Sequence, residues 1–244
     1  FRDANLRYAG AGADSLSDIT FDVAPGETVG IIGGTGSGKS SLVNMIPRFY
    51  DASQGSVCID GVDVKDYTLD ELRHKVGVVP QKAVLFAGTI ADNIRWGKQD
   101  ATEAEIDEAL EIAQAKEFVD GKENGIYFKI TQGGKNLSGG QKQRLTIARA
   151  VVRKPEILIL DDSASALDFA TDAALRKAIR EKTKGMTVFL VSQRASTIMN
   201  SDKIIVMDDG QIAGIGTHRQ LLSNCEIYRE ICQSQLSEEE LSHE

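Results

Sequence analysis

The sequence predicts an α/β fold in which a core of alternating strands and helices is interrupted by a helical insert. Three observations carry this. Short β-rich segments alternate with turns in the first third, the pattern from about residue 89 to 154 is helical, and strands and helices alternate again from residue 156. In chain order, the early strands are "ITFDVA", "ETVGIIG", "SVCI" and "VGVV", and the late ones are "EILIL", "MTVFLVS" and "KIIVM". Capping boxes mark two helix starts, Thr68 with Glu71 and Thr102 with Glu105. After the second box, Ile106, Ala109, Leu110 and Ala113 recur at i, i+3, i+4 and i+7, giving one apolar face for packing.

With 244 residues and 41% hydrophobic content, the chain can bury a substantial core. A net charge of -8 argues against a basic, phosphate-backbone-binding face, so no nucleic-acid partner is expected. The acidic end "SEEELSHE" reads as a solvated tail. No apolar run approaches the roughly 20 residues that cross a bilayer, and no signal sequence is read at the N-terminus, so a soluble domain is expected. Cys58, Cys225 and Cys232 are too scattered for a disulfide framework or zinc site, and free thiols in a reducing compartment are expected. Asn136, Leu137 and Ser138 match a glycosylation sequon, but the same residues have a better explanation below.

The strongest local signal is "GGTGSGKSS", residues 33–41, which fits G-x-x-x-x-G-K-[ST]. It follows the apolar strand "TVGII" and opens the helix "SSLVNMI", the context such a loop needs. Gly33, Gly34, Thr35, Gly36, Ser37 and Gly38 supply a loop whose backbone N–H groups can close around phosphate, and the helix start adds its positive dipole end. Lys39 is expected at the β- and γ-phosphates of ATP, Ser40 at Mg²⁺, and Ser41 at the helix start beside them. The strand "ILIL" runs into Asp161, the acid that a phosphate-loop enzyme places on the same Mg²⁺.

One more stretch sets this chain apart. In "LSGGQKQRLTIARA", residues 137–150, Ser138, Gly139 and Gly140 start a helix and offer a second anion site that one chain cannot easily fold onto the same nucleotide. Here the sequence resembles, over essentially its whole length, the nucleotide-binding domain of ATP-binding cassette transporters. The resemblance implies a RecA-like core with a small antiparallel β subdomain, residues 1–87 and 154–244, and an inserted helical subdomain, residues 88–153, as a single domain. It also implies that two such domains pair head to tail. Each ATP is then held between one phosphate loop and the other domain's Leu137-Ser138-Gly139-Gly140-Gln141 equivalent.

By the same resemblance, Gln81 in "VVPQ" contacts Mg²⁺ and senses the attacking water, Tyr8 stacks on adenine, and Ser165 to Asp168 crosses to the partner domain. For Tyr8, a surface tyrosine on an edge strand is the alternative. The pattern "VPQKAVLFAGTIADNI" with the ending "GIGTHRQLL" resembles exporters, whose membrane helices usually precede this domain on the same polypeptide; the site would then lie at the cytoplasmic face of the membrane. "ITQGGKNLSGG" lacks the glutamate-containing motif that many exporters carry before the signature.

Two departures bear on catalysis. Where the family has a glutamate after the magnesium aspartate, this chain has Asp162, which keeps the charge but is about 1.5 Å shorter, and about 1 Å of misplacement can cost on the order of 100-fold. In "FLVSQRASTI" the family's histidine is Gln193, which can donate a hydrogen bond to a γ-phosphate oxygen but cannot become cationic near neutral pH. Asp162, Gln193 and Gln81 are the candidate catalytic residues; His74, His218 and His243 are expected on the surface. With the loop, Asp161 and the signature intact, the pattern resembles the degenerate half of a heterodimeric exporter, paired with a second, different chain. A regulatory ATP-binding module, a homodimer tolerating both changes, and an ATPase of translation or DNA repair are the alternatives. The last fits poorly with the absence of heptad runs and basic stripes.

Overall fold

The computed structural model describes residues 1–236; the acidic tail and His243 lie outside the described residues. The chain divides into two compact units, one of Phe1–Val76 with Thr187–Glu244 and the other of Gly77–Met186. Among the described residues no helix is long and apolar enough to cross a membrane.

In the first unit the strand Thr28–Gly33 is flanked in parallel by Thr187–Val191 on one side and Lys203–Asp208 on the other, and Gln211–Gly216 continues antiparallel beyond Lys203–Asp208. Its run of Val29, Ile31 and Ile32, all fully buried, has the continuous apolar character of a strand covered on both faces. Gly30 lets the short helix Ala195–Ile198 press onto the sheet: a Cβ there would lie 2.7 Å from Ile198 Cβ. A separate antiparallel sheet, ordered Leu16–Ile19, Arg2–Leu6, Gln54–Ser56, is the expected N-terminal β layer.

The segment "ITFDVA" is strand only to Ile19. Asp3 and Asp18 take left-handed backbone angles, φ 46° and 54°, and the register shifts between Ala4 and Leu6. Beyond that break the Thr20 hydroxyl accepts from Asp3 N, and Phe21 both stacks on Phe1 and exchanges main-chain hydrogen bonds with it, Phe21 N to Phe1 O at 3.2 Å and Phe1 N to Phe21 O at 2.8 Å. "SVCI" also splits: Ser56 ends one strand, and Cys58–Ile59 forms a hairpin with Val62–Asp63 across Asp60 and Gly61, both with φ above +50°.

His218, expected on the surface, is buried at 6% exposure, with its Nδ1 2.7 Å from the buried Tyr228 hydroxyl. The reason is local: Thr217 caps the helix His218–Asn224, and the next helix, Glu226–Gln235, folds Tyr228 back over the ring. His74 is exposed. Cys225 and Cys232 are buried, Cys58 is half-buried, and all three thiols are free.

In the second unit the neighbouring strands Val76–Val79, whose first residue closes the first unit, and Ile157–Asp161 carry the site residues. The helix Gly139–Val151 packs on Ile90–Arg95 and Glu103–Ile112 through Ile90, Ile94, Ile106, Leu110, Leu145 and Ala148, all essentially inaccessible. Gly97 permits this approach, because a Cβ there would meet Arg149 O at 2.0 Å. The helix begun by Thr102 and Glu105 buries its predicted face, with Ala113 at its end. The stretch whose pattern reads as helical, from about residue 89 to 154, also takes part in an antiparallel pair, Gly88–Thr89 with Lys129–Ile130.

Candidate active site

The phosphate loop leaves the carboxyl end of the strand Thr28–Gly33, where open parallel sheets bind their ligands. Gly33 must lack a side chain, since a Cβ would lie 2.2 Å from Met207 O in the adjacent strand. Gly38 takes φ +96° at the N-cap of the helix Lys39–Asn44, and a Cβ there would lie 2.6 Å from Leu16 Cδ2. Lys39 is buried, and its ammonium donates to Gly33 O at 2.7 Å, Gly34 O at 2.6 Å and Ser37 Oγ at 3.3 Å. The crest Gly34, Thr35, Gly36 and the following Ser40 are exposed.

Tyr8 lies two residues beyond Arg2–Leu6, the central strand of its sheet, so the edge-strand alternative does not hold. Its hydroxyl is 2.8 Å from Ser41 Oγ, and its ring is edge-on to Tyr50 at 4.8 Å between centroids. The half-buried ring is therefore fixed to the helix that follows the loop.

In the second unit Gln81 is joined to the second of the two adjacent acids, Asp162. Asp161 is buried at the end of its strand behind Leu158, Ile159 and Leu160. Asp162 is half-buried and takes φ +46°, a left-handed conformation uncommon outside glycine and asparagine-like residues. Its carbonyl accepts from Ser165 N at 3.2 Å and Ser165 Oγ at 2.8 Å, which closes the turn. Its carboxylate accepts from Gln81 Nε2 at 2.9 Å, a well-formed bond between residues 81 positions apart. Gln81 follows Pro80, whose carbonyl takes a longer bond, 3.4 Å, from the buried Gln143.

Ser138 begins the signature helix with a full capping box: its Oγ accepts from Gln141 N at 3.2 Å, and Gln141 Oε1 accepts from Ser138 N at 3.1 Å. The S-x-x-Q spacing signalled this cap. A Cβ on Gly139 would meet nothing within 4 Å, whereas one on Gly140 would sit 3.3 Å from Ala166 O. Arg144, not singled out in the sequence, braces the first turn: it donates to Gly140 O at 3.4 Å and Gln114 O at 2.6 Å and lies over the Phe118 ring at 4.8 Å. Asp168 caps the helix Phe169–Lys182, and the N–H and hydroxyl of Thr171 hold its carboxyl below the usual carboxylate range.

Gln193 belongs to the first unit, in the loop after Thr187–Val191, and its side chain is exposed. Its backbone carbonyl accepts from Gln235 Nε2 at 2.8 Å, while Gln235 Oε1 accepts from Ala195 N, also at 2.8 Å. Gln235 is another site residue the sequence did not mark.

A family model described as ABC transporter matches residues 16–165, more than half of the chain. The chain belongs to the ABC transporter family. It is 46% identical, over 95% of its length and 40% of the relative's, to an uncharacterized ABC transporter ATP-binding protein of Mycobacterium tuberculosis. It is 45% identical, over 94% of its length and 39% of the relative's, to the probable multidrug resistance ABC transporter ATP-binding/permease protein YheI of Bacillus subtilis. A solved bacterial Atm1-family ABC exporter with ATP bound superposes with a TM-score of 0.93 at 37% identity, covering 98% of this chain and 42% of that one. The chain thus spans about two fifths of the length of the curated relatives it matches.

The donor set of this ABC transporter chain fits a nucleotide triphosphate and a hard divalent cation. A Cβ on Gly34 or Gly36 would meet nothing within 4 Å, so the loop crest is open to a ligand above the Lys39 ammonium. Ser40 and Asp161 offer the oxygen donors that Mg²⁺ prefers. The structure brings together Lys39 with the loop carbonyls, Tyr8 with Ser41, Gln81 with Asp162, and Ser138 with Gln141. These fall into two groups: Tyr8, residues 33–41 and Gln193 in one unit, and Gln81, Ser138, Gly139, Gly140, Gln141, Asp161 and Asp162 in the other.

Proposed function

We propose that this chain is the ATP-binding and hydrolysing domain of an exporter, and that it pairs head to tail with a second domain of the same kind. Its own site turns ATP over slowly, while its signature completes the partner's site. In this reading residues 1–87 and 154–244 form the core, residues 88–153 the helical subdomain, and membrane helices on the same full-length polypeptide hold the domain at the cytoplasmic face.

The supporting observation is the 2.9 Å bond between Gln81 Nε2 and Asp162 Oδ2. A carboxylate one methylene short of glutamate, on a backbone turned to φ +46°, is occupied by the neighbouring amide. Its reach toward a water on the nucleotide is therefore reduced. Lys39 and the loop amides bind the triphosphate, and Tyr8, anchored to Ser41, supports the base. Ser40, Asp161 and Gln81 would hold Mg²⁺, which when bound neutralises phosphate charge. Gln193 donates to the γ-phosphate but cannot accept or return a proton near neutral pH. Ser138 keeps a hydroxyl proton to donate across a dimer, because its oxygen lone pair, not its proton, is used in the cap.

The test is steady-state ATP hydrolysis by the full transporter purified with its partner. Ser138→Ala should remove most turnover, and Asp162→Asn should change it less than about 2-fold, against the roughly 100- to 10,000-fold loss expected for an operating base. Brisk hydrolysis by this chain paired with itself, abolished by Asp162→Asn, would overturn the proposal in favour of a homodimer.

A further inference from the structure

We infer that Gln235 is a positioning residue for Gln193: from the end of the helix Glu226–Gln235 it clamps the loop that presents Gln193, and so sets how long nucleotide stays in this chain's site. The inference rests on the proposed contact of Gln193 with the γ-phosphate.

The short helix Ala195–Ile198 begins after Arg194, which supplies no side-chain cap. A helix start leaves N–H groups without intrahelical partners, and a nearby Ser, Thr, Asp or Asn usually satisfies one. Here the cap comes from 40 residues away, as Gln235 Oε1 accepts from Ala195 N at 2.8 Å. The same carboxamide donates through Nε2 to Gln193 O at 2.8 Å. One planar amide therefore bridges the residues on either side of Arg194. Its orientation follows from the partners, because the flipped amide would set NH₂ against N–H and oxygen against oxygen.

The clamp is delivered from a fixed support. Tyr228 and Cys232 are fully buried, and Gln235 lies seven and three positions beyond them, on the same helix face. The Tyr228 hydroxyl is bonded in turn to the buried His218. Gln193 is thus held at its backbone while its side chain stays exposed, the arrangement expected of a group aimed at a ligand.

The experiment uses the full transporter with its partner, the partner's phosphate loop inactivated so that only this chain's site retains N-methylanthraniloyl-ATP. Two readouts are taken on Gln235→Ala, Gln235→Glu, Gln193→Ala and the double variant Gln193→Ala/Gln235→Ala. Hydrogen exchange at the Ala195 amide should speed up about 2- to 10-fold in Gln235→Ala, the loss of one net hydrogen bond, and stay near wild type in Gln235→Glu, which keeps the acceptor. Probe release should speed up in both Gln235 variants, since both lose the donor to Gln193 O. The double variant should release no faster than Gln193→Ala alone, which a merely structural role for Gln235 would not produce. Unchanged release in both Gln235 variants while Gln193→Ala releases faster overturns the inference, as does additive acceleration in the double variant. Unchanged release in Gln193→Ala instead refutes the γ-phosphate role of Gln193, and the Ala195 exchange data then show whether the clamp itself exists. Should Gln235→Ala fail to fold, Gln235→Glu carries the same test of release.

Discussion

Restoring the missing methylene, Asp162→Glu, is the most direct test of the proposal that this site turns over slowly. The Asp162 carboxylate accepts from Gln81 Nε2 at 2.9 Å. One added carbon advances it by about 1.5 Å. Along the bond direction that shift would bring the carboxylate to roughly 1.4 Å from Gln81 Nε2, a clash, or withdraw it to roughly 4.4 Å, past hydrogen-bond range, so the glutamate must leave Gln81 or fold back. A displacement of about 1 Å is worth on the order of 100-fold in rate, or about 2.7 kcal/mol of barrier. Against this stands the backbone, since position 162 has φ +46° and glutamate tolerates the left-handed region less well than aspartate. That costs about 1 kcal/mol of folding stability, a fall in Tm of roughly 2 to 4 °C for a chain of this size. The expected outcome is a 10- to 100-fold rise in phosphate release from this chain's site, measured with the partner's site inactivated, alongside a small drop in Tm by thermal shift. A rise below about 2-fold with ATP binding intact would refute placement as the cause and leave the remaining deficit to Gln193.

Two further predictions concern the parts that hold the site. Gly33→Ala places a Cβ 2.2 Å from Met207 O and 2.6 Å from Ser37 Oγ, so either the loop or the strand Lys203–Asp208 must move; isothermal titration should show ATP binding lost or weakened at least 100-fold. Glu105, bonded first to Lys98 and then to Thr102 N, has its pKa lowered to about 2 in the folded chain from 4.5. Because the folded value is the lower one, its contribution is present above about pH 4.5 and disappears as pH falls toward 2. In chemical denaturation Glu105→Gln should therefore be less stable than wild type at pH 6, with the difference shrinking steadily below pH 4.5.

What could be read in advance was what depends on near neighbours. The loop from Gly33 to Ser40 is a local pattern between a strand and a helix, and Thr68 with Glu71 and Thr102 with Glu105 are local caps, all three visible in residue spacing. Asp161 was legible because four aliphatic residues precede it in one strand. The contacts that shape the site join distant segments, and spacing carries no trace of them. Gln81 meets Asp162 across 81 positions, and Gln235 reaches Gln193 across 42. The same holds for the pair Gly88–Thr89 and Lys129–Ile130, hidden in a stretch with helical periodicity. His218 was misjudged because its burial is created by Tyr228, ten residues on, and not by any apolar pattern around the histidine. In the N-terminal sheet the left-handed Asp18 sits inside the strand Leu16–Ile19, which stops at Ile19 although the composition of the following residues argued for continuation. The Asp60-Gly61 dipeptide and the Ser138-x-x-Gln141 box were readable signals of the turn and cap found there.

In the proposed reading, the two departures from the family pattern weaken the site in physically different ways. At Asp162 the functional group is retained but held elsewhere: the backbone is closed by Ser165 and the carboxylate is bonded to Gln81. That defect is one of distance, which a longer side chain can repair without new chemistry. At Gln193 the opposite holds. The main chain is fixed through its own carbonyl and the amide of Ala195 two residues on, contacts that ignore the identity of the side chain, so any residue at 193 inherits the same seat. What is absent there is a titratable nitrogen. Restored length at 162 therefore needs no change at 193, whereas a histidine at 193 would leave the Asp162 carboxylate bonded to Gln81. Repair should proceed through Asp162 first, with position 193 adding to it only once the carboxylate has been moved, since groups that act as one unit do not contribute independently.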